Sequence, residues 1–343
     1  MTRTIALPSE GFLLEHAPGR LVVGAGPLEA RTCRRAEALA CYAPDFLLAD
    51  ERPWLHPTTW RETTRDALCE ALDGAYPPHV AWEEPEIAEY AARFSSLMDR
   101  IDAGALAKAV PVILEHGTWQ PPSGGVVAGL LRRALVASGP SFVYAAWTAT
   151  SGIVGASPEV LFVREDPERV ETVAMAGTYP DAEAADLPAD PKETREHASV
   201  VDDIVAALSP MGAVSVGARE VIRLPAMAHL KTDIAVAVTS PVTFGDLVRA
   251  LHPTAALGVA PRSAGTELMP SLGPSERGRF GAPFGIEWPD GRAHVLVAIR
   301  NVQWDGRAVT LGAGAGILAE SRLEREWEEL RLKRSAVKDL LGL

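Results

Sequence analysis

Two separate stretches of the chain carry paired acids at the same spacing. Glu193 and Glu196 sit in KETREHASVVDDI (192–204), at i and i+3 of a stripe that continues through Val200 and Ile204. Helical spacing turns both carboxylates toward the buried side, and carboxylates are seldom buried without partners. Glu326 and Glu329, with Lys333 at i+7, border a second helical stripe of Leu323, Trp327, Leu330, Val337 and Leu341. Two such pairs on two helices can hold a divalent cation, and hard oxygen ligands favour Mg²⁺. Each pair alone also suits the dipole of a helix N-terminus or a solvated face, and spacing leaves those readings open.

Three further residues stand in apolar surroundings. Lys108 alternates with Val110, Val112 and Leu114, which sets an amine on an apolar strand face. A desolvated amine can act as a general base, although a lysine at the start of a strand can also reach water. Arg300, inside VLVAIRNV (295–302), needs an anionic partner from the protein or a ligand. His252, in LHPTAALG (251–258), fits a core position or a site. Of two glycine-rich segments, LVVGAGPLEA (21–30) breaks the dinucleotide pattern at Glu29. The other, GAGAGILA (312–319), leaves too little chain for a βαβ unit, so close backbone approach to another anion fits it better.

The elements that must bring these residues together can be read from periodicity. Ile87, Tyr90, Phe94, Leu97, Met98 and Ile101 predict a helix from Glu86 that stops at Gly104, and helices are expected over 192–208 and 321–341. Strands are expected at 107–114, 142–149, 159–164, 170–177, 233–238, 293–304 and 308–314. Many strands with few helices between them favour a large antiparallel α+β architecture. Residues 1–85 hold all three cysteines, Cys33, Cys41 and Cys69, and end in the turn-rich AYPPHVAWEEPE. We read 1–85 as a variable N-terminal part of the fold and 86–343 as the catalytic core.

With 33 Lys and Arg against 45 Asp and Glu, the net charge is −12, which disfavours nucleic acid and anionic membranes as partners. An anionic substrate must then find its positive charge locally. Apolar residues at 47% and charged residues at 23% describe an ordinary globular protein. The odd cysteine count without a CxxC spacing argues against zinc, and no signal-like apolar stretch follows the first arginine. The cytoplasm is the expected location.

In chain order, GASPEVLF (155–162), MAGTYP (175–180), KETREHASVVDDI (192–204), LHPTAALGVAPR (251–262), RFGAPFG (279–285), VAIR (297–300), GAGAGI (312–317) and EWEELRLK (326–333) together resemble the chorismate-binding enzymes. That family includes isochorismate synthases, salicylate synthases and the synthase components for anthranilate and aminodeoxychorismate. The resemblance covers about residues 90–343. It implies an α+β fold of two large antiparallel β-sheets packed face to face with helices outside. It also implies that Glu196 and Glu329 ligate Mg²⁺, with Glu193 and Glu326 as an outer pair acting through water. Gly177, Thr178, Arg300, Lys333 and the amides at Gly314 and Gly316 correspond to groups that hold the two carboxylates of chorismate, and His252 to a histidine lining the site.

Ammonia-using members carry glutamine where this chain has Lys108, and some carry a nucleophilic lysine where it has Ala176. The resemblance therefore implies water addition. Lys108 would activate water for attack at C2, and Glu159 would protonate the departing C4 hydroxyl. The implied enzyme is a Mg²⁺-dependent isochorismate synthase. Alternatives are a salicylate synthase, an ammonia-using component fed by a glutamine amidotransferase, which Lys108 disfavours, or a chorismate-binding protein without turnover. The last draws on Tyr179, Pro180 and Asp181, which stand where the family has an arginine-bearing stretch.

Overall fold

A computed structural model describes residues 7–119, 126–225, 227–274 and 277–343. The first six residues, part of the stretch searched for a signal, lie outside the described residues. Alternating apolar residues drive two nine-stranded antiparallel sheets. The first runs, in spatial order, β6 (Thr59–Thr64), β2 (Arg20–Ala25), β1 (Gly11–Ala17), β10 (Phe142–Trp147), β11 (Ser151–Ser157), β19 (Asn301–Asp305), β20 (Ala308–Gly314), β9 (Val112–Trp119) and β7 (Val80–Glu83). The second runs β14 (Gly212–Leu224), β15 (Met227–Val238), β13 (Arg169–Pro180), β12 (Val160–Asp166), β18 (Ala293–Val297), β17 (Pro283–Glu287), β4 (Ala40–Tyr42), β5 (Trp54–His56) and β3 (Glu29–Arg31). A short ribbon pairs β8 (Lys108–Ala109) with β16 (Val259–Ala260). The helices are α1 (Arg65–Ala71), α2 (Ile87–Asp102), α3 (Val126–Ala137), α4 (Pro191–Leu208), α5 (Phe244–Leu251), α6 (Gly265–Leu268) and α7 (Leu323–Leu341).

The sheets pack face to face. Phe12, Leu14, Tyr144 and Ile153 of the first sheet meet Cys41, Phe284, Ile286 and Leu296 of the second in one core. The intervening residues of the same strands, such as Leu13, Val143 and Val154, point the other way and pack beneath α3 and α7. On the outer face of the second sheet, Val200, Ile204 and Leu208 of α4 and Leu247, Val248 and Leu251 of α5 cover Phe162, Ile234 and Val295. The architecture is the expected α+β one. Among the described residues no helix is long and apolar enough to cross a membrane.

Two expected strands are each divided in two. The run 107–114 stops at Val110–Pro111, because Pro111 has no N–H to give a ladder, so β8 joins the small ribbon and β9 the first sheet. The run 293–304 breaks at Ala298–Arg300, where the chain crosses from the second sheet to the first. Arg300 sits at this crossing with φ +54°. β13 extends past its expected end to Pro180, with its register shifted between Ala176 and Thr178. Gly177, at φ +79°, supplies the backbone freedom that this bulge requires.

The helices that carry the acid pairs are fixed by different means. Asp190 caps α4, its Oδ1 accepting from the amides of Lys192 (2.8 Å) and Glu193 (3.0 Å), and Pro191 occupies the first turn. α7 is anchored near its other end by Glu115 of β9, which is fully buried. Arg334 Nη1 donates to Glu115 at 2.7 Å and Lys338 pairs with the second oxygen. This contact sets the rotation of α7, with Glu326 and Leu330 facing inward. Replacing Glu115 by Ala leaves the buried Arg334 with only the exposed Glu84, and we expect a loss of about 3 kcal/mol in urea unfolding. An unchanged midpoint would mean that apolar packing alone positions the helix.

Candidate active site

Where β13, β20, the crossing at Arg300 and the two acid-bearing helices meet, they enclose a cavity. Glu159, Gly177, Thr178, Glu196, Arg300, Gly314, Gly316 and Lys333 line it, so residues spread over 175 positions of sequence share one wall. Lys108 lies just behind this wall. It is fully buried, with Nζ 3.0 Å from Glu196 Oε1. A Cβ placed on Gly316 would stand 2.1 Å from that oxygen and 2.9 Å from Lys108 Cε, so glycine is what allows the ion pair to lie against the backbone.

On the cationic side, the half-buried Arg300 has no carboxylate within salt-bridge distance among the described residues. Burial lowers its pKa to about 10, which still leaves it charged at neutral pH. Its Nη2 lies 2.7 Å from His229 Nε2. Burial, then the nearby Arg300 charge, hold the His229 imidazole well below its usual range, so the ring is neutral. Nε2 therefore accepts from Arg300, while Nδ1–H faces Gly177 O at 3.1 Å and Thr178 Oγ1 at 3.3 Å. His229 went unnoticed in the sequence. Its place opposite Thr178 is a matter of β13–β15 register, which one sequence does not reveal.

His252 is a correction to the expected site. Its Nε2 lies 2.7 Å from the Phe46 carbonyl and its ring meets the Phe46 ring edge-on, so it turns into the core and does not line the cavity. Burial lowers its pKa to about 4, which keeps it neutral. The same loop reaches the site through Thr254, whose hydroxyl lies 3.5 Å from Glu159 Oε1.

The four acids gather as expected but are met by amines. Lys192 Nζ stands 2.9 Å from Glu326 Oε1 and 3.4 Å from Glu193 Oε1, bridging the two helices. Glu193 Oε2 accepts from the Thr178 amide at 2.8 Å. Glu329 pairs with Lys333 at 2.7 Å, and Lys333 also donates to Gly314 O at 2.8 Å. Burial pushes Glu193 up to about 7; Lys192 opposes this, and Glu196 and Glu329 add to it. Glu326 is raised by burial and then by Glu329. Burial also opposes ionisation of Glu196, yet Lys108 and Lys192 outweigh it and hold that carboxyl below its usual range.

This donor set suits a hard divalent cation in its chemistry. Carboxylates from two helices already share one ammonium, and burial, then their mutual repulsion, lifts two of them. Among the described residues no three ligating side chains converge at coordinating distance, since each acid is drawn to a lysine or an amide. A metal at this place must compete with those lysines.

The profile of the chorismate binding enzymes matches residues 50–339. The chain belongs to the chorismate-binding enzyme family. It is 35% identical over 288 residues, 77% of this chain and 76% of the relative, to a Mycobacterium tuberculosis protein provisionally named isochorismate synthase MenF. It is 27% identical over 335 residues, 94% of this chain and 81% of the relative, to the isochorismate synthase EntC of Escherichia coli. An Aeropyrum pernix anthranilate synthase component 1 is 26% identical over 365 residues, 92% of this chain and 82% of the relative. The fold matches that of the menaquinone-specific isochorismate synthase MenF of Escherichia coli, with TM-score 0.84 at 20% identity over 98% of this chain and 90% of that one. Among the described residues, no carboxylate of this chorismate-binding enzyme lies within salt-bridge distance of Arg300. Arg300→Lys loses the two-pronged fork and should weaken chorismate binding by about 1.5–3 kcal/mol in titration calorimetry. An unchanged dissociation constant would make Arg300 a structural residue.

Proposed function

We propose that the protein is a Mg²⁺-dependent isochorismate synthase, converting chorismate to isochorismate. The observation that carries this reading is Glu159. Burial raises its carboxyl to about 7, with Lys108 and Thr254 offsetting only part of the effect, so a proton donor faces the cavity near neutral pH. The names of the relatives support the same reaction.

In this mechanism Arg300 and Lys333 hold the substrate carboxylates, while Gly314 and Gly316 let the backbone approach them closely. Lys108 must first give up its ammonium proton and part from Glu196; as the neutral amine it then takes a proton from the water that attacks C2. Glu159 gives its proton to the C4 hydroxyl, which leaves as water while the ring double bond moves. One water adds and one departs, so the net change is an isomerisation. A magnesium ion held by Glu196 and Glu329, with Glu193 and Glu326 behind them, would supply positive charge to a substrate carboxylate. Water rather than ammonia adds, so no amidotransferase partner is needed, and we place the reaction in the cytoplasm.

Chromatography of the products from chorismate and Mg²⁺ should show isochorismate, whether or not ammonium is present. Salicylate with pyruvate, or an aminated product, would replace this reading by one of its alternatives. Lys108→Gln and Glu159→Gln should each lower turnover on the order of 10²–10⁴-fold, and the parental rate should fall as pH rises through about 7 and Glu159 loses its proton.

The same shift bears on stability. The Glu159 pKa is raised above its ordinary 4.5, so the folded state holds the extra proton between 4.5 and about 7. The resulting stability is complete below that window and is lost as pH rises through it. Glu159→Gln should therefore melt above the parent at pH 8, and the gap should close under acid conditions. Finally, EDTA should silence the parent and Mg²⁺ restore it, while Glu329→Ala stays inactive but folded and Glu196→Ala, which strips the buried Lys108 of its counter-charge, is inactive and less stable. Full activity in EDTA would remove the metal from the mechanism.

A further inference from the structure

The inner cavity adjoins an outer basin of about 400 Å³, and Thr178 and Met227 belong to the walls of both. Among the described residues, three acids face the basin, Glu183, Glu328 and Glu329, with a single cation, Arg325. On a protein of net charge −12 such a mouth repels a dianion unless the cation is available to it. Arg325 is. It stands in the first turn of α7, its side chain about half exposed at 52%, with the guanidinium 6.0 Å over the Tyr179 ring. Its nearest carboxylate oxygens, Asp190 Oδ2 and Glu193 Oε1, lie at 3.6 and 3.7 Å, beyond hydrogen-bond reach. Both acids have closer donors. The Tyr179 hydroxyl donates to Asp190 Oδ2 at 2.7 Å, and the Thr178 amide donates to Glu193. The guanidinium thus leans on Tyr179 and two loosely placed acids, and its exposed half can still offer donors to an anion that arrives from solvent.

We infer that the outer basin is the entrance for the anionic substrate, and that Arg325 is the cation that receives it before Arg300 and Lys333 take hold. The inference rests on chorismate being the substrate. Arg325 acts on arrival, so its influence is a long-range charge effect that salt should screen. Glu328, which faces the same basin and pairs with Arg331 at 2.8 Å, acts in the opposite sense.

Stopped-flow quenching of protein fluorescence by chorismate, from about 20 mM to about 0.5 M ionic strength, tests this. At low salt the association rate constant should fall about three- to tenfold in Arg325→Gln, recover in Arg325→Lys and rise in Glu328→Gln. At high salt the variants should converge on the parent, and kcat at saturating substrate should not change. A parental rate in Arg325→Gln at low salt overturns the entrance role. So does a deficit that persists at high salt, which would mark a structural residue. Product formation is followed in the same samples. Product from the parent with unaltered association in the variant overturns the entrance alone, whereas a parent that neither binds nor converts chorismate overturns the proposed function with it.

Discussion

The ion pair of Lys108 with Glu196 lies where three parts of the fold meet. Lys108 belongs to the short ribbon of β8 and β16, Glu196 to the first turns of α4, and Gly316 to the segment that follows β20. A fully buried ammonium is tolerated only beside its counter-charge, so these segments must close together. Several local features serve that closure. Pro111 ends the ribbon so that β9 can leave for the first sheet, the Asp190 cap starts α4 at the right residue, and Gly316 omits the side chain that would part the pair.

Around this pair the site is built from charges that nearly cancel. Lys192 bridges Glu193 and Glu326, Lys333 meets Glu329, and Lys108 meets Glu196. Arg300 is the exception. Its partner is a neutral histidine, held in that form by burial and by the arginine itself. The cavity thus offers a cation to a ligand within a protein whose overall charge is strongly negative, as anion binding here demands. Glu159 faces the same space as a carboxyl that burial keeps near its midpoint at neutral pH.

The helical acid pairs were the most legible part of the chain. A period of 3.6 residues shows which side of a helix is buried, and Glu193 and Glu196 are buried in the register expected, whereas Glu326, expected on the border of its stripe, is fully buried. The apolar setting of Lys108 was equally visible, since alternation marks a strand face. The run 293–304 misled because hydrophobicity continues while the chain changes sheets; in 107–114 the break was marked by Pro111, whose missing N–H outweighed the apolar run around it. His252 misled for a related reason: an imidazole beside a proline turn can point either way, and only the nearby Phe46 carbonyl decided.

By itself the sequence determined the antiparallel α+β class, the two acid-bearing helices, the apolar placement of Lys108 and, through its ordered motifs, the family. These properties are written in local periodicity and in residue types along the chain. Tertiary structure alone decided that Arg300 stands at a crossing between sheets, that His229 rather than His252 faces the cavity, and that each acid meets a particular lysine. Such pairings depend on register and on which segments touch across the fold. Contacts of that kind join residues far apart in sequence, and their strength comes from burial that exists only once the chain has closed.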